Sequence, residues 1–127
     1  MRRVVITGMG IVSPLGDSVA AVLATLGQAR SGIRFHAPYR EMGLRAQIGG
    51  FTRVDVGAHI DKKNLRFMGN AAAYATIAMQ QAIDDAGLGE DEVSDPRTGL
   101  IIGSGGTSAE NVVATADTGR ATCRERV

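Results

Sequence analysis

The sequence contains no tryptophan and only two tyrosines and three phenylalanines among 127 residues. A core built on large rings is excluded, and the high alanine and glycine content points instead to backbones that approach one another closely. A single cysteine, Cys123, excludes an internal disulfide and fits a reducing cytoplasm. With 14 basic and 13 acidic residues, no charge excess draws the chain to nucleic acid or to a membrane surface. No apolar run reaches the length needed to span a bilayer. Arg2 and Arg3 precede an apolar stretch, but Thr7, Gly8, Gly10, Pro14 and Gly16 interrupt it. It carries no small-residue cleavage site at signal-peptide distance, so export is not expected. The length allows one domain with a real core and is short for an α/β enzyme with its own complete site.

What is present is organised around residues 3–16, Arg-Val-Val-Ile-Thr-Gly-Met-Gly-Ile-Val-Ser-Pro-Leu-Gly. The first half is β-branched and apolar at nearly every position, the pattern of a strand buried on both faces. It breaks at Gly8 and Gly10, where missing side chains permit tight turns and close backbone approach. Residues 99–106, Gly-Leu-Ile-Ile-Gly-Ser-Gly-Gly, repeat the design. Two such strands, each opening into a glycine loop before a helical pattern, are the skeleton of an α/β layer fold, whose ligands bind beyond the carboxyl ends of the strands.

Between them, Asp17 or Ser18 caps a helix whose Val19, Val22, Leu23 and Leu26 form one stripe expected to be buried. Residues 27–32 end it, and 33–57 read as an irregular excursion, broken at Pro38 and Gly43, with one or two edge strands such as 45–51. Residues 61–68 read as a short basic helix with Leu65 and Met68 inward and Lys62, Lys63 and Arg66 outward. After Asn70 the longest helix, 71–86, is expected to pack through Ala72, Ala75, Met79, Ala82, Ile83 and Ala86, with Gly87 as its C-terminal cap. An acidic loop, 89–98, leads to the second strand from Thr98. The expected order is β, α, insertion, α, loop, β, α, with parallel strands.

The glycine loops fit two nucleotide patterns badly. Gly8-Met-Gly10 follows a strand, but Ser13 stands where the dinucleotide fingerprint needs a third glycine or alanine, and no acidic residue closes a second strand about 20 positions on. Residues 103–108 resemble a phosphate cradle, but Gly106 occupies the position of the Walker lysine.

A third reading rests on resemblance. The runs at residues 4–16, 30–33 (Arg-Ser-Gly-Ile), 66–68 (Arg-Phe-Met), 82–88 (Ala-Ile-Asp-Asp-Ala-Gly-Leu) and 99–106 occur in the order found in β-ketoacyl-acyl-carrier-protein synthases, and the chain resembles the N-terminal portion of that family, type I above all. The resemblance implies α/β architecture, part of the first half of a thiolase-like α-β-α-β-α layered fold, with a β-ketoacyl synthase N-terminal domain over 1–117. It also implies elongation of acyl chains in fatty-acid synthesis by decarboxylative Claisen condensation with malonyl-acyl-carrier-protein. A cysteine holds the acyl chain, two histidines assist, and no cofactor or metal takes part. The implied partners are the acyl and malonyl forms of acyl carrier protein and a second synthase copy in a homodimer, in the cytoplasm, with no nucleic acid and no membrane.

No catalytic residue can be carried over. Cys123 lies in Thr-Cys-Arg-Glu rather than the family's small-residue elbow, and flanking Arg124 and Arg126 do not make it the nucleophile. His36 and His59 lie outside the family's histidine motifs and read as solvated loop residues. Two features do carry over. Gly106 matches the position that borders the acyl pocket, where glycine resembles the type I enzymes. Lys62, Lys63 and Arg66 match the basic patch for the acidic helix of acyl carrier protein. Residues 118–127 depart from the pattern, which suggests a truncated or frameshifted frame. The fragment alone is expected to be inactive and, with apolar sheet surface uncovered, to self-associate. The alternatives are a noncatalytic module that binds carrier protein or pairs with a synthase, and a ketosynthase subunit of a polyketide pathway.

Overall fold

The computed structural model describes residues 3–124, with side chains through residue 118. Ser18 begins α1 (Val19–Gly27): its side chain accepts from Ala21 N–H at 3.3 Å, satisfying one of the orphan donors of the first turn. Residues 33–50 form a hairpin, β1 (Ile33–Phe35) antiparallel to β2 (Ile48–Gly50), with Ile33 opposite Gly50 and Phe35 opposite Ile48. Between its strands sits α2 (Ala37–Glu41), which Pro38 starts rather than breaks because it stands in the first turn, where its missing N–H costs nothing. Two short helices follow, α3 (Val56–His59) and α4 (Lys62–Leu65).

The long helix α5 (Asn70–Ala86) begins one residue earlier than the sequence suggests, with Gly69 as its N-cap, and ends at Gly87, which adopts the left-handed conformation (φ 67°). Its buried face also differs from the expected one. Ala73 (2 % exposed) and Ile77 (4 %) close the core with Ile60, and Val12, Val54, Val56, Leu65 and Met68 pack around them. A helix with alanine on most of its circumference can pack on two sides, and α5 does. Its other side, Ala78, Ala82 and Ala86, lies beneath the first glycine loop. A Cβ at Gly8 would collide with the Ala82 carbonyl oxygen and stand 2.7 Å from Ala86 N; one at Gly10 would collide with the Ala78 carbonyl. These glycines therefore serve close packing on a helix. Two α5 side chains secure the loop: Met9 N–H donates to Asp85 at 2.9 Å and Ile11 N–H to Gln81 at 3.0 Å, while Gln81 Nε2 donates to Asp17 O at 2.7 Å.

Three expectations are corrected. Among the described residues the only sheet is the β1–β2 hairpin, and it is antiparallel; neither 3–7 nor 99–103 joins a ladder. Val4 and Ile6 are 95 and 85 % exposed, and Ile101 is 98 % exposed, because no neighbouring strand or covering layer meets them. In α1, Val22 and Thr25 are buried while Leu23 and Leu26 are exposed. Thr25 takes the inward position because its hydroxyl donates to Leu15 O at 3.0 Å. The acidic loop contains a one-turn helix, α6 (Glu90–Val93), capped by the Glu92 carboxylate, which accepts from Gly89 N–H. The last helix, α7 (Ala109–Arg124), runs through residue 118 without a break.

Candidate functional site

The basic segment takes the orientation its spacing predicts. Leu65 and Met68 pack against the Ile60–Ala73–Ile77 core, so the opposite side of α4 faces solvent and carries Lys62, Lys63 and Arg66, all exposed. Among the described residues none of the three has a carboxylate partner, and the only ion pair joins Arg97 to Asp95. The Arg66 guanidinium lies over the ring of Phe67, 4.7 Å from its centroid, and Phe67 is itself exposed. Three exposed cations, one of them stacked on an exposed ring, form a surface suited to an acidic partner with an apolar contact. Beside it, residues 57–62 with Met68 and Thr76 line an open hollow of about 570 Å³.

Gly106 lies in the exposed loop before α7. The Ser104 hydroxyl donates to its carbonyl oxygen at 2.8 Å, and nothing stands within 4 Å of where a Cβ would project. The structure brings this loop and the basic segment to one junction. Gly69, next after Met68, is so close to the start of α7 that a Cβ there would lie 3.1 Å from Ser108 Cβ, and Asn70 Nδ2 donates to Glu110 at 2.8 Å.

His59 ends α3 and is exposed. His36 departs from the expectation of a solvated residue: it is half-buried, stacked on Phe51 at 4.2 Å between centroids and edge-on to Tyr39 at 4.6 Å. It belongs to a small aromatic cluster that steadies the hairpin. The Cys123 side chain lies outside the described residues, as do Arg124 and Arg126 as side chains. Among the described residues no group of three His, Cys, Asp or Glu could hold a metal ion, and no helix is long and apolar enough to cross a membrane. Away from the site, the Arg97 guanidinium and backbone N–H hold the Asp95 carboxyl below its usual range.

Composition and periodicity did not reveal Phe67, Gln81 or Asp85. A signal existed for the last two: Gln81 and Asp85 are polar, four residues apart, on a helix face otherwise lined with alanine. Side chains so placed are positioned to satisfy a backbone lying against that face.

The family model for the β-ketoacyl synthase N-terminal domain matches residues 1–126, and the chain belongs to that family of acyltransferases. It adopts part of the first half of the family's thiolase-like α/β fold. The chain is similar to the 3-oxoacyl-[acyl-carrier-protein] synthase 1 of Haemophilus influenzae, 49 % identical over 92 % of this chain and 29 % of that protein. It is 46 % identical to the Escherichia coli enzyme of the same name over 92 % of this chain and 29 % of that protein. Among solved structures, a β-ketoacyl synthase from Burkholderia phymatum STM815 superposes with a TM-score of 0.78 at 32 % identity, over 92 % of this chain and 29 % of that one. The chain thus spans under a third of the length of the curated relatives it matches.

Proposed function

We propose that these residues are the N-terminal part of a 3-oxoacyl-acyl-carrier-protein synthase that elongates acyl chains in fatty-acid synthesis by decarboxylative condensation with malonyl-acyl-carrier-protein. The observation that carries this reading is the 49 % identity to a protein of that name across nearly the whole chain. In it, the described residues supply the platform, α5 with the glycine loop pinned on it, and a docking surface. Lys62, Lys63 and Arg66 receive the acidic carrier protein, with Phe67 as apolar contact, and Gly106 keeps the acyl pocket wall free of a side chain. In this reading Cys123, His36 and His59 are not the thiolate nucleophile and the two histidines, because none of them stands in the family's cysteine or histidine motifs. The chain alone therefore does not condense acyl groups.

A chimera tests the reading: the matching N-terminal residues of the Escherichia coli synthase are replaced by this chain. Condensing activity is the expected result. Lys63→Glu in the chimera should raise the KM for malonyl-carrier-protein while leaving kcat near its starting value, and the effect should shrink as salt is raised. A folded chimera without activity overturns the proposal.

A second reading is favoured by the exposure of the basic turn, which needs nothing beyond α4 and α5 to present it: a noncatalytic module that binds carrier protein. Affinity of the isolated chain for carrier protein, abolished by Lys63→Glu, together with an inactive chimera, would select it.

A further inference from the structure

Residues 13–16 form a turn closed in both directions, Ser13 N–H donating to Gly16 O at 2.9 Å and Gly16 N–H to Ser13 O at 3.2 Å. Pro14 in this turn is held from two sides by positions without side chains. A Cβ at Gly32 would stand 2.8 Å from Pro14 O, and one at Gly50 would stand 3.0 Å from Pro14 Cγ. The base of the β1–β2 hairpin is thereby fixed on the turn. Between hairpin, turn and α1 this packing leaves a cleft of about 400 Å³.

Three arginines line that cleft, each from a different segment: Arg30 from the link after α1, Arg34 from β1 and Arg53 from the chain after β2. Among the described residues Asp17 is the only carboxylate on its wall. None of the three arginines has an ion-pair partner among the described residues. The backbone leading into Arg30 is held in an uncommon conformation. Ala29 adopts φ 49°, the left-handed region that side chains other than glycine's enter at a cost, and it is kept there while Ala29 N–H bonds Leu26 O and Arg30 N–H bonds Thr25 O.

Like charges gathered around one concavity repel one another and raise the local concentration of anions. The guanidinium fork matches the oxygens of phosphate and carboxylate, and several arginines around one cleft favour a ligand with more than one negative charge. Apart from Pro14 and Leu15, the rest of the wall is serine, threonine, glycine and Asp17, a mostly polar surface that gives an acyl chain little to pack against. None of Lys62, Lys63, Arg66 or Gly106 lines this cleft. We propose that the cleft bounded by Arg30, Arg34 and Arg53 binds a small phosphate-type oxyanion, free or esterified, at a site separate from the carrier-protein surface.

Equilibrium dialysis of the 127-residue chain against radiolabelled inorganic phosphate, and in parallel against phenyl phosphate, tests it whatever the association state of the chain. The expected result is one saturable site per chain. Its affinity should fall as sodium chloride is raised, drop at least tenfold in Arg34→Gln and in Arg53→Gln, and be kept in Arg97→Gln, whose arginine lies outside the cleft. Equal affinity for both probes means that the site reads the phosphate group alone; tighter phenyl phosphate means that it also holds the esterified group. Should Arg34→Gln lose its circular dichroism spectrum, Arg53→Gln, changed at an exposed position, carries the test alone. The proposal is overturned by the absence of saturable binding to the parent chain, by binding that Arg53→Gln leaves intact, or by equal losses in Arg97→Gln.

Discussion

Around α5, Ala73 and Ile77 are 2 and 4 % exposed, whereas at residues 100–102 Leu100, Ile101 and Ile102 stand 64, 98 and 61 % exposed. Both elements read as buried in the sequence, although on α5 the expected face was Ala72, Ala75, Met79, Ala82, Ile83 and Ala86. They differ in what each needs in order to be covered. An amphipathic helix satisfies its own backbone and needs only a few side chains across one stripe, and α3, α4 and the first glycine loop all precede it within 80 residues of chain. A strand buried on both faces needs a ladder partner and a layer above and below. The chain spans under a third of its curated relatives, and among the described residues nothing supplies those layers. Local partners fold the middle of the chain, while its strand-like runs wait for cover.

Substitutions should separate the two regions. Ile77→Ala is expected to lower stability by about 2–4 kcal/mol in urea unfolding, the usual cost of truncating a buried aliphatic residue, and Ile101→Ala to change it by less than about 0.5 kcal/mol. Ile101→Lys should leave the melt unchanged yet shift sedimentation toward monomer, since it breaks an exposed apolar run. Comparable losses for Ile77→Ala and Ile101→Ala would show that residues 99–103 are buried and abolish the contrast.

Glycines divide in the same way. Gly10→Ala forces a methyl group against the Ala78 carbonyl and should cost about 1–3 kcal/mol or more, while Gly106→Ala meets open space and should melt like the parent. Gln81→Ala removes both the acceptor for Ile11 N–H and the donor to Asp17 O, for an expected loss of about 1–3 kcal/mol and faster amide exchange at Ile11.

The smallest effect lies on the exposed Asp95–Arg97 pair. The folded pKa of Asp95 is lowered, so its contribution to stability is present above the ordinary carboxylate pKa and is lost as pH falls through the folded value. Arg97→Gln should move the Asp95 titration, followed by NMR, back up toward the ordinary range. It should narrow its melting difference from the parent as pH is lowered. An unchanged titration would remove Arg97 as the cause.

Legibility in the sequence follows the same division. The Ser18 cap, the Gly87 cap and the outward cations of α4 are local features, set by groups a few residues apart, and each stands where its neighbours dictate. The packing face of α5 was ambiguous, because alanines at 71–73, 75, 78, 82 and 86 give nearly every side of the helix the same small apolar character. Gly8 and Gly10 were legible as sites of close approach, but the object approached, the α5 backbone about 70 residues on, was not. Leu23 and Leu26 announce burial without naming a partner, and among the described residues they remain exposed. Of the candidate site, the exposure of Lys62, Lys63 and Arg66 was legible from helical spacing; the Arg66–Phe67 stack and the Gly69 junction with α7 depend on tertiary contacts that no spacing encodes.

The most direct test of the central claim, that these residues are a platform and docking surface without the condensing machinery, is a condensation assay. The purified 127-residue chain is given acyl- and malonyl-carrier-protein, beside Cys123→Ala. The account predicts neither carbon dioxide release nor 3-oxoacyl product from either sample. Product that forms with the parent chain and disappears in Cys123→Ala would contradict it and make this chain a minimal synthase with its nucleophile in α7.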